Sequence, residues 1–177
     1  MGGLTWTAML RFQERDRAEL MTIEYVAPDG TVFRDNETIR LTKDGAFLSN
    51  GELITHERTV QAYHRFLSRD EQGYFIEIGR DHKRIEVEDT ARFVREIEWK
   101  GSGKDEWIEL TLADESRERL DPRTFSYRPE RLVCRVKDGH EEAKFLRKPY
   151  LELLLRALHD GPRYSIRIGG DTFNLEG

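Results

Sequence analysis

Tyr74-Phe75-Ile76-Glu77-Ile78-Gly79 and Tyr164-Ser165-Ile166-Arg167-Ile168-Gly169 are two versions of one alternating stretch, set 90 residues apart. In each, an aromatic residue and two isoleucines fall at i, i+2 and i+4, on one face of a β-strand, and a glycine closes the run. The agreement extends upstream. Val60, Tyr63, His64 and Leu67 match Leu151, Leu154, Leu155 and Leu158 at a spacing of 91, each set occupying i, i+3, i+4 and i+7 of a helix face. A loop one residue shorter in the second copy accounts for the difference. Asn50-Gly51 matches Asp138-Gly139 at 88, and both pairs suit tight hairpin turns. The repeated unit reads as hairpin, helix, hairpin. One such unit leaves an apolar strand face and a helix stripe uncovered, and two can cover each other. The chain therefore reads as an α+β fold of two tandem related β-rich motifs sharing a core. Two copies are too few for a solenoid or propeller.

Working outward, the first helix is expected from Thr55 as N-cap to about Arg69, and the second from Pro149 at its first position. Thr22–Val26 and Thr31–Arg34 flank the turn residues Ala27-Pro28-Asp29-Gly30. Further strands are expected near 38–41, 45–49, 85–88, 92–99, 106–112, 124–127, 131–137 and 172–175. A turn over Gly79–Lys83 precedes Ile85. Residues 1–20 read as an N-terminal extension or an amphipathic helix carrying Trp6, Met9 and Leu10. Residues 21–112 form an N-terminal β-rich half, and 123–177 a C-terminal repeat half. The polar segment 113–122, ending at Pro122, is the boundary between them.

Charged residues make up 36% of the 177, against roughly 25% in an average domain. Leu, Ile, Val and Phe still number 18, 10, 7 and 9, about a quarter of the chain, which is enough for a core. Net charge is −5 with signs interspersed, and no basic run marks a nucleic-acid surface. No apolar stretch reaches membrane-spanning length, and residues 1–12 show no leader pattern, so a cytoplasmic address is the default expectation. The single cysteine, Cys134, excludes an intrachain disulfide and a cysteine-cluster metal site, and within Leu132–Val136 it reads as a small core residue.

Metal and phosphate motifs fail on spacing. His56-Glu57 and His140-Glu141 have Val60 and Lys144 where a zinc-binding helix needs its second histidine. Gly101-Ser102-Gly103-Lys104-Asp105 lacks the hydroxyl residue and first glycine of a phosphate loop and reads as a hairpin tip, with Trp99 and Trp107 paired across its strands. Glu86 and Glu88 share a strand face that reads as solvated. No cofactor and no metal is expected. Two features remain as binding candidates. His64 stands where the other copy has Leu155, either as a core histidine or as a polar group lining a cleft between copies. Arg80, His82, Lys83 and Arg84 crowd one turn, whose counterpart Gly170-Asp171-Thr172 lacks that charge. An anion or acidic partner suits them; an exposed tip balanced by Glu86, Glu88 and Asp89 is the plainer reading.

A wider pattern runs through Lys43-Asp44-Gly45-Ala46-Phe47, Asn50-Gly51-Glu52-Leu53-Ile54, the helix to Leu67, Gly73-Tyr74, Ile85-Glu86-Val87-Glu88-Asp89 and Val136-Lys137-Asp138-Gly139-His140-Glu141-Glu142-Ala143. Over about residues 38–160 it resembles the bacterial family named domain of unknown function 1285 (DUF1285). Ser49 replaces that family's histidine, Leu53 its proline, and its Pro-Phe after Val-Glu-Asp is displaced to Arg92-Phe93. The resemblance implies an α+β fold of two repeated β-rich motifs and a signalling or ligand-sensing role, with no known activity. The expected function is a noncatalytic ligand- or partner-binding module in bacterial signalling, taking a small molecule or protein, without nucleic acid or membrane. An enzyme using His64 with Glu88 in a cleft between the halves, and a structural homo-oligomer, are the alternatives.

Overall fold

Asn50 and Gly51 both take positive φ, 50° and 86°, the combination a two-residue hairpin requires, and Lys137, Asp138 and Gly139 repeat it at 53°, 56° and 81°. Those turns anchor the two copies in a computed structural model that describes residues 7–9, 24–26, 32–34, 37–79, 81–128, 131–160 and 163–175. The chain divides into two compact units. The first comprises residues 1–42 and 46–88, and the second 43–45 and 89–177.

In the first unit, β1 (Thr7–Met9), β2 (Glu24–Val26) and β3 (Val32–Arg34) form an antiparallel sheet. Thr7–Met9 is thus extended and pairs with β2, where helical spacing had suggested a helix; Trp6, Leu10 and the turn at 27–30 lie outside the described residues. Next come β4 (Ile39–Leu41), β5 (Phe47–Ser49) and β6 (Glu52–Leu53), then α1 (Glu57–Phe66), β7 (Leu67–Asp70), β8 (Gly73–Ile78) and β9 (Asp81–Val87). They make one six-stranded sheet ordered β6-β5-β4-β9-β8-β7, with β4 and β9 parallel and every other neighbour antiparallel. Ile39, Leu41, Phe47, Ile76, Ile78 and Ile85 are buried, alternating along their strands with exposed Arg40, Glu77, Arg84 and Glu86.

The helix α1 is shorter than its spacing suggested. His56 caps it, its Nδ1 accepting from the Thr59 amide at 3.3 Å, so Thr55 lies outside. Leu67 leaves helical geometry and buries its side chain opposite Ile76 as the first residue of β7. The Asp70 carboxylate accepts from Gln72 N at 2.8 Å and closes the turn into Gly73. The buried face is Thr59, Ala62, Tyr63 and His64, with Val60 only partly covered.

The second unit opens with β10 (Arg92–Lys100), β11 (Trp107–Leu112) and β12 (Arg117–Arg119). Then follow β13 (Ser126–Arg128), β14 (Arg131–Val136), β15 (Glu141–Phe145), α2 (Arg147–Leu154), β16 (Ala157–Asp160), β17 (Arg163–Ile168) and β18 (Asp171–Asn174). One sheet is ordered β12-β11-β10-β15-β14-β13, again with a single parallel pair, β10 and β15; β16-β17-β18 form a second. Val94, Ile108, Leu110, Leu132, Phe145, Leu153 and Ile166 build its core. Residues 89–112, assigned by the sequence pattern to the first half, pack in this unit. The polar segment 113–122, expected as the boundary, is itself part of this unit: Arg117–Arg119 is hydrogen-bonded to β11, and Leu120 is buried.

The two copies are more regular than their sequence alignment suggested. α1 and α2 begin 90 residues apart, and so do β7 and β16, β8 and β17, and β9 and β18. Holding that spacing through the helices pairs Thr59 with Pro149 and Tyr63 with Leu153, all four buried. The face expected for α2 is therefore wrong. Leu151, Leu155 and Leu158 are exposed, Leu154 is partly covered, and Leu153 carries the packing. Pro149 is the third helical residue, not the first, and no shortened loop is needed. In each unit two three-stranded meanders precede the helix and a third follows it, because β7 and β16 add a strand to the hairpins expected there. This is an α+β fold of two related tandem motifs.

Candidate functional site

The basic cluster singled out in the sequence is a strand rather than a turn. β9 starts at Asp81, so His82 and Arg84 project from one face and Lys83 from the other; Arg80 lies outside the described residues. Each described cation has an acid at hand. Arg84 grips both Asp70 oxygens at 2.6 Å, and its guanidinium lies 5.3 Å from the Phe75 ring centroid. The Arg84 hydrogen bonds hold the Asp70 carboxyl down at about 2. His82 stacks on the same ring at 4.4 Å, with its Nδ1 3.9 Å from Glu77. Lys83 reaches Glu37 at 3.4 Å on the more buried side. Balancing acids were expected in Glu86, Glu88 and Asp89. Glu86 instead binds Arg40 at 2.8 Å, and Asp89 binds Arg131 and Lys144 at 3.1 and 3.3 Å. The strand is built as a laced, self-neutralised surface.

His64 is buried, with its ring 4.8 Å from that of Phe47, which also meets Tyr63 edge-on at 5.2 Å. It belongs to the first unit's core. Cys134 is buried too, and burial, with Glu118 and Glu142 adding to it, pushes its thiol up to about 12. Among the described residues, no three histidine, cysteine, aspartate or glutamate side chains are grouped to hold a metal ion.

A concave site does exist, in the second unit. The tip between β10 and β11 folds into a 3₁₀ turn at Gly103–Asp105, and the β17–β18 turn comes close to it. Gly169 and Gly170 have φ of 62° and 87°, which a side chain tolerates poorly. A Cβ on Gly169 would stand 3.0 Å from the Glu106 carbonyl oxygen and 3.1 Å from that of Lys104. The glycine thus permits the two turns to meet. Beside them, β12 and a 3₁₀ turn at Pro122–Thr124 complete an open groove of about 360 Å³. Trp107, Pro122, Ile168 and Phe173 supply its apolar lining, and Lys104, Arg119 and Arg123 its cations.

Charge in this groove is arranged differently from charge on β9. Glu106 is engaged by Arg156 at 3.4 Å, and the Asp121 carboxylate accepts from the Arg123 amide at 3.1 Å, capping the turn. Arg119 lies 5.2 Å from the Trp107 ring centroid, a contact that orients a guanidinium without neutralising it. Among the described residues no carboxylate pairs with Lys104, Arg119 or Arg123, and Asp171 is the remaining acid of the lining. Trp99 and Trp107 do not face each other as expected: Trp99 is opposite Ile108 and Trp107 opposite Lys100, so they occupy opposite sheet faces. The sequence pattern did not single out Arg119, which falls in the polar segment read as the boundary, or Arg123, which follows it directly. The Asp121-Pro122 pair, a turn starter, was the available signal.

The fold recurs in two solved structures. A DUF1285 family protein from Silicibacter pomeroyi DSS-3 superposes with a TM-score of 0.60 at 18% identity, covering 78% of this chain and 79% of that one. A DUF1285 family protein from Shewanella baltica OS155 gives 0.51 at 12% identity, covering 68% and 92%. The chain thus resembles DUF1285 proteins in architecture, as its motifs implied. No protein-family model and no curated protein matches the sequence.

Proposed function

We propose that the chain is a noncatalytic binding module that takes a small anionic ligand, a carboxylate or phosphate compound, in the groove of its second unit. One observation carries this reading: among the described residues no carboxylate pairs with Lys104, Arg119 or Arg123, which line a concavity, while Lys83 and Arg84 of β9 are each held by an acid. An anion entering the groove gains charge-assisted hydrogen bonds without displacing internal ones. The groove's volume of about 360 Å³ lies within the range of small-molecule sites. Trp107 and Phe173 offer apolar cover for the ligand's carbon skeleton. Sensing of such a compound in bacterial signalling belongs to the same proposal, which involves no nucleic acid and no membrane.

The test is a thermal-shift and tryptophan-fluorescence titration with inorganic phosphate, citrate and a phosphate monoester at low ionic strength. At least one is expected to raise the melting temperature of the wild-type chain, and Arg119→Ala and Arg123→Ala are expected to abolish the shift while folding normally. No response from any probe, or an equal response in both variants, refutes the assignment.

A further inference from the structure

Three leucines of α2 and the segment after it are exposed among the described residues. Leu153 carries the helix's packing with no exposure at all, whereas Leu151, Leu155 and Leu158 are 46%, 86% and 47% exposed. Leu151 and Leu155 are one turn apart, joined by the Leu155 N–H donating to the Leu151 carbonyl at 3.0 Å, and so share one helix face. Leu158, also exposed, follows on β16, opposite Ser165. The first copy provides an internal control. The positions 90 residues earlier are Gln61, Arg65 and Ser68, so the same scaffold folds with polar residues on this face. Leucines here serve something other than the fold.

Charge around the leucines points to what covers them. Arg147 and Lys148 occupy the first turn of α2, with no acidic residue in that turn and no carboxylate partner among the described residues. Their charges oppose the positive end of the helix dipole, so local helix stability does not explain them either. Four and three residues before Leu151, they lie at one end of the leucine face. From this juxtaposition we infer that α2 and β16 dock an acidic amphipathic segment of a partner protein, its apolar side chains on Leu151, Leu155 and Leu158 and its carboxylates on Arg147 and Lys148. A second copy of this chain fits less well, because a two-fold contact that runs the helices parallel sets Arg147 and Lys148 against their own copies.

The test uses fluorescence anisotropy with the full chain and a labelled synthetic helical peptide bearing leucines at i, i+3, i+4 and i+7, flanked by glutamates. Two control peptides replace the leucines with serine or the glutamates with lysine. The acidic leucine peptide is expected to bind at least about tenfold tighter than either control, and Leu155→Arg is expected to remove that preference. The triple variant L151Q/L155R/L158S restores the first copy's residues; it is expected to keep the wild-type circular dichroism and melting temperature and also lose binding. Absence of peptide preference in the wild type, or its survival in both variants, overturns the proposal. A dimer in sedimentation that Leu155→Arg dissolves, or flotation with phosphatidylglycerol vesicles that Leu155→Arg abolishes, overturns it in favour of self-association or membrane docking.

Discussion

Truncating Leu153 and Leu155 separately to alanine measures which face of α2 holds the second unit together. Leu153 is fully buried in the core with Ile166 and Phe145, and Leu155 is 86% exposed one turn boundary away. Leu153→Ala removes three carbons from the interior, a transfer loss of about 2.4 kcal/mol at ~0.8 kcal/mol per buried methylene. If the surrounding strands do not close the cavity, the cost rises towards about 5 kcal/mol. Leu155→Ala removes the same atoms from water contact and should stay within about 0.5 kcal/mol of wild type. Urea unfolding at 25 °C, followed by far-UV circular dichroism and tryptophan fluorescence, separates these cases. With a slope of about 2 kcal/mol/M, the Leu153 variant should unfold about 1–2.5 M earlier, and the Leu155 variant at an almost unchanged midpoint. Trp99, packed against the same core, is a local reporter. Equal losses in the two variants, or a larger one at Leu155, would refute both the 90-residue helix alignment and the argument that the exposed leucines are free to bind.

Two further outcomes follow from titrating groups. The Asp70 carboxyl, held at about 2 by Arg84, titrates below its ordinary 3.8, so its stabilising contribution is complete above about pH 4 and is lost as pH falls towards 2. A carbon-detected NMR titration should place its midpoint near 2 at low salt, and Asp70→Asn should flatten acid destabilisation in that window; a midpoint near 4 would remove the ion pair from the account. Cys134, buried with its thiol pushed to about 12, should resist an aromatic disulfide reagent at pH 8 in the native state and react only at the rate of unfolding. Rapid native labelling would show that β14 is not sealed as described.

Turns and strand alternation were legible in the sequence because each rests on local chemistry. Asn50-Gly51 and Gly169-Gly170 occupy positions of positive φ, and Tyr74–Ile78 and Tyr164–Ile168 alternate as half-covered strands must. Helix lengths and faces were not, for a physical reason. Leu67 and Leu158 continue a helical spacing but sit in strands β7 and β16, where an extended residue buries or exposes its side chain by strand parity instead. Five leucines between 151 and 158 satisfy several helical phases at once, so periodicity alone could not choose Leu153. The strands on either side did hold the answer. Their common 90-residue spacing, imposed on the helices, aligns Leu153 with Tyr63 and makes an altered loop unnecessary.

The site was legible only in part, because neutralisation is a long-range property. Arg84 finds Asp70 fourteen residues away, and Lys83 finds Glu37 forty-six away, so a window over residues 80–84 sees excess positive charge where Lys83 and Arg84 are already paired. Arg119 and Arg123 show the reverse. In sequence they lie among Asp114, Glu115, Glu118 and Asp121, and look balanced. Folding then commits three of those acids elsewhere: Asp114 to Lys137 and Arg92, Glu118 to Lys137, and Asp121 to a turn amide. The two arginines are left facing a groove with Lys104. In a chain with 36% charged residues, density of charge therefore says little about binding. What distinguishes the groove is that its cations remain unpaired after the fold has used the acids nearest to them in sequence, and that remainder is the quantity a ligand can act on.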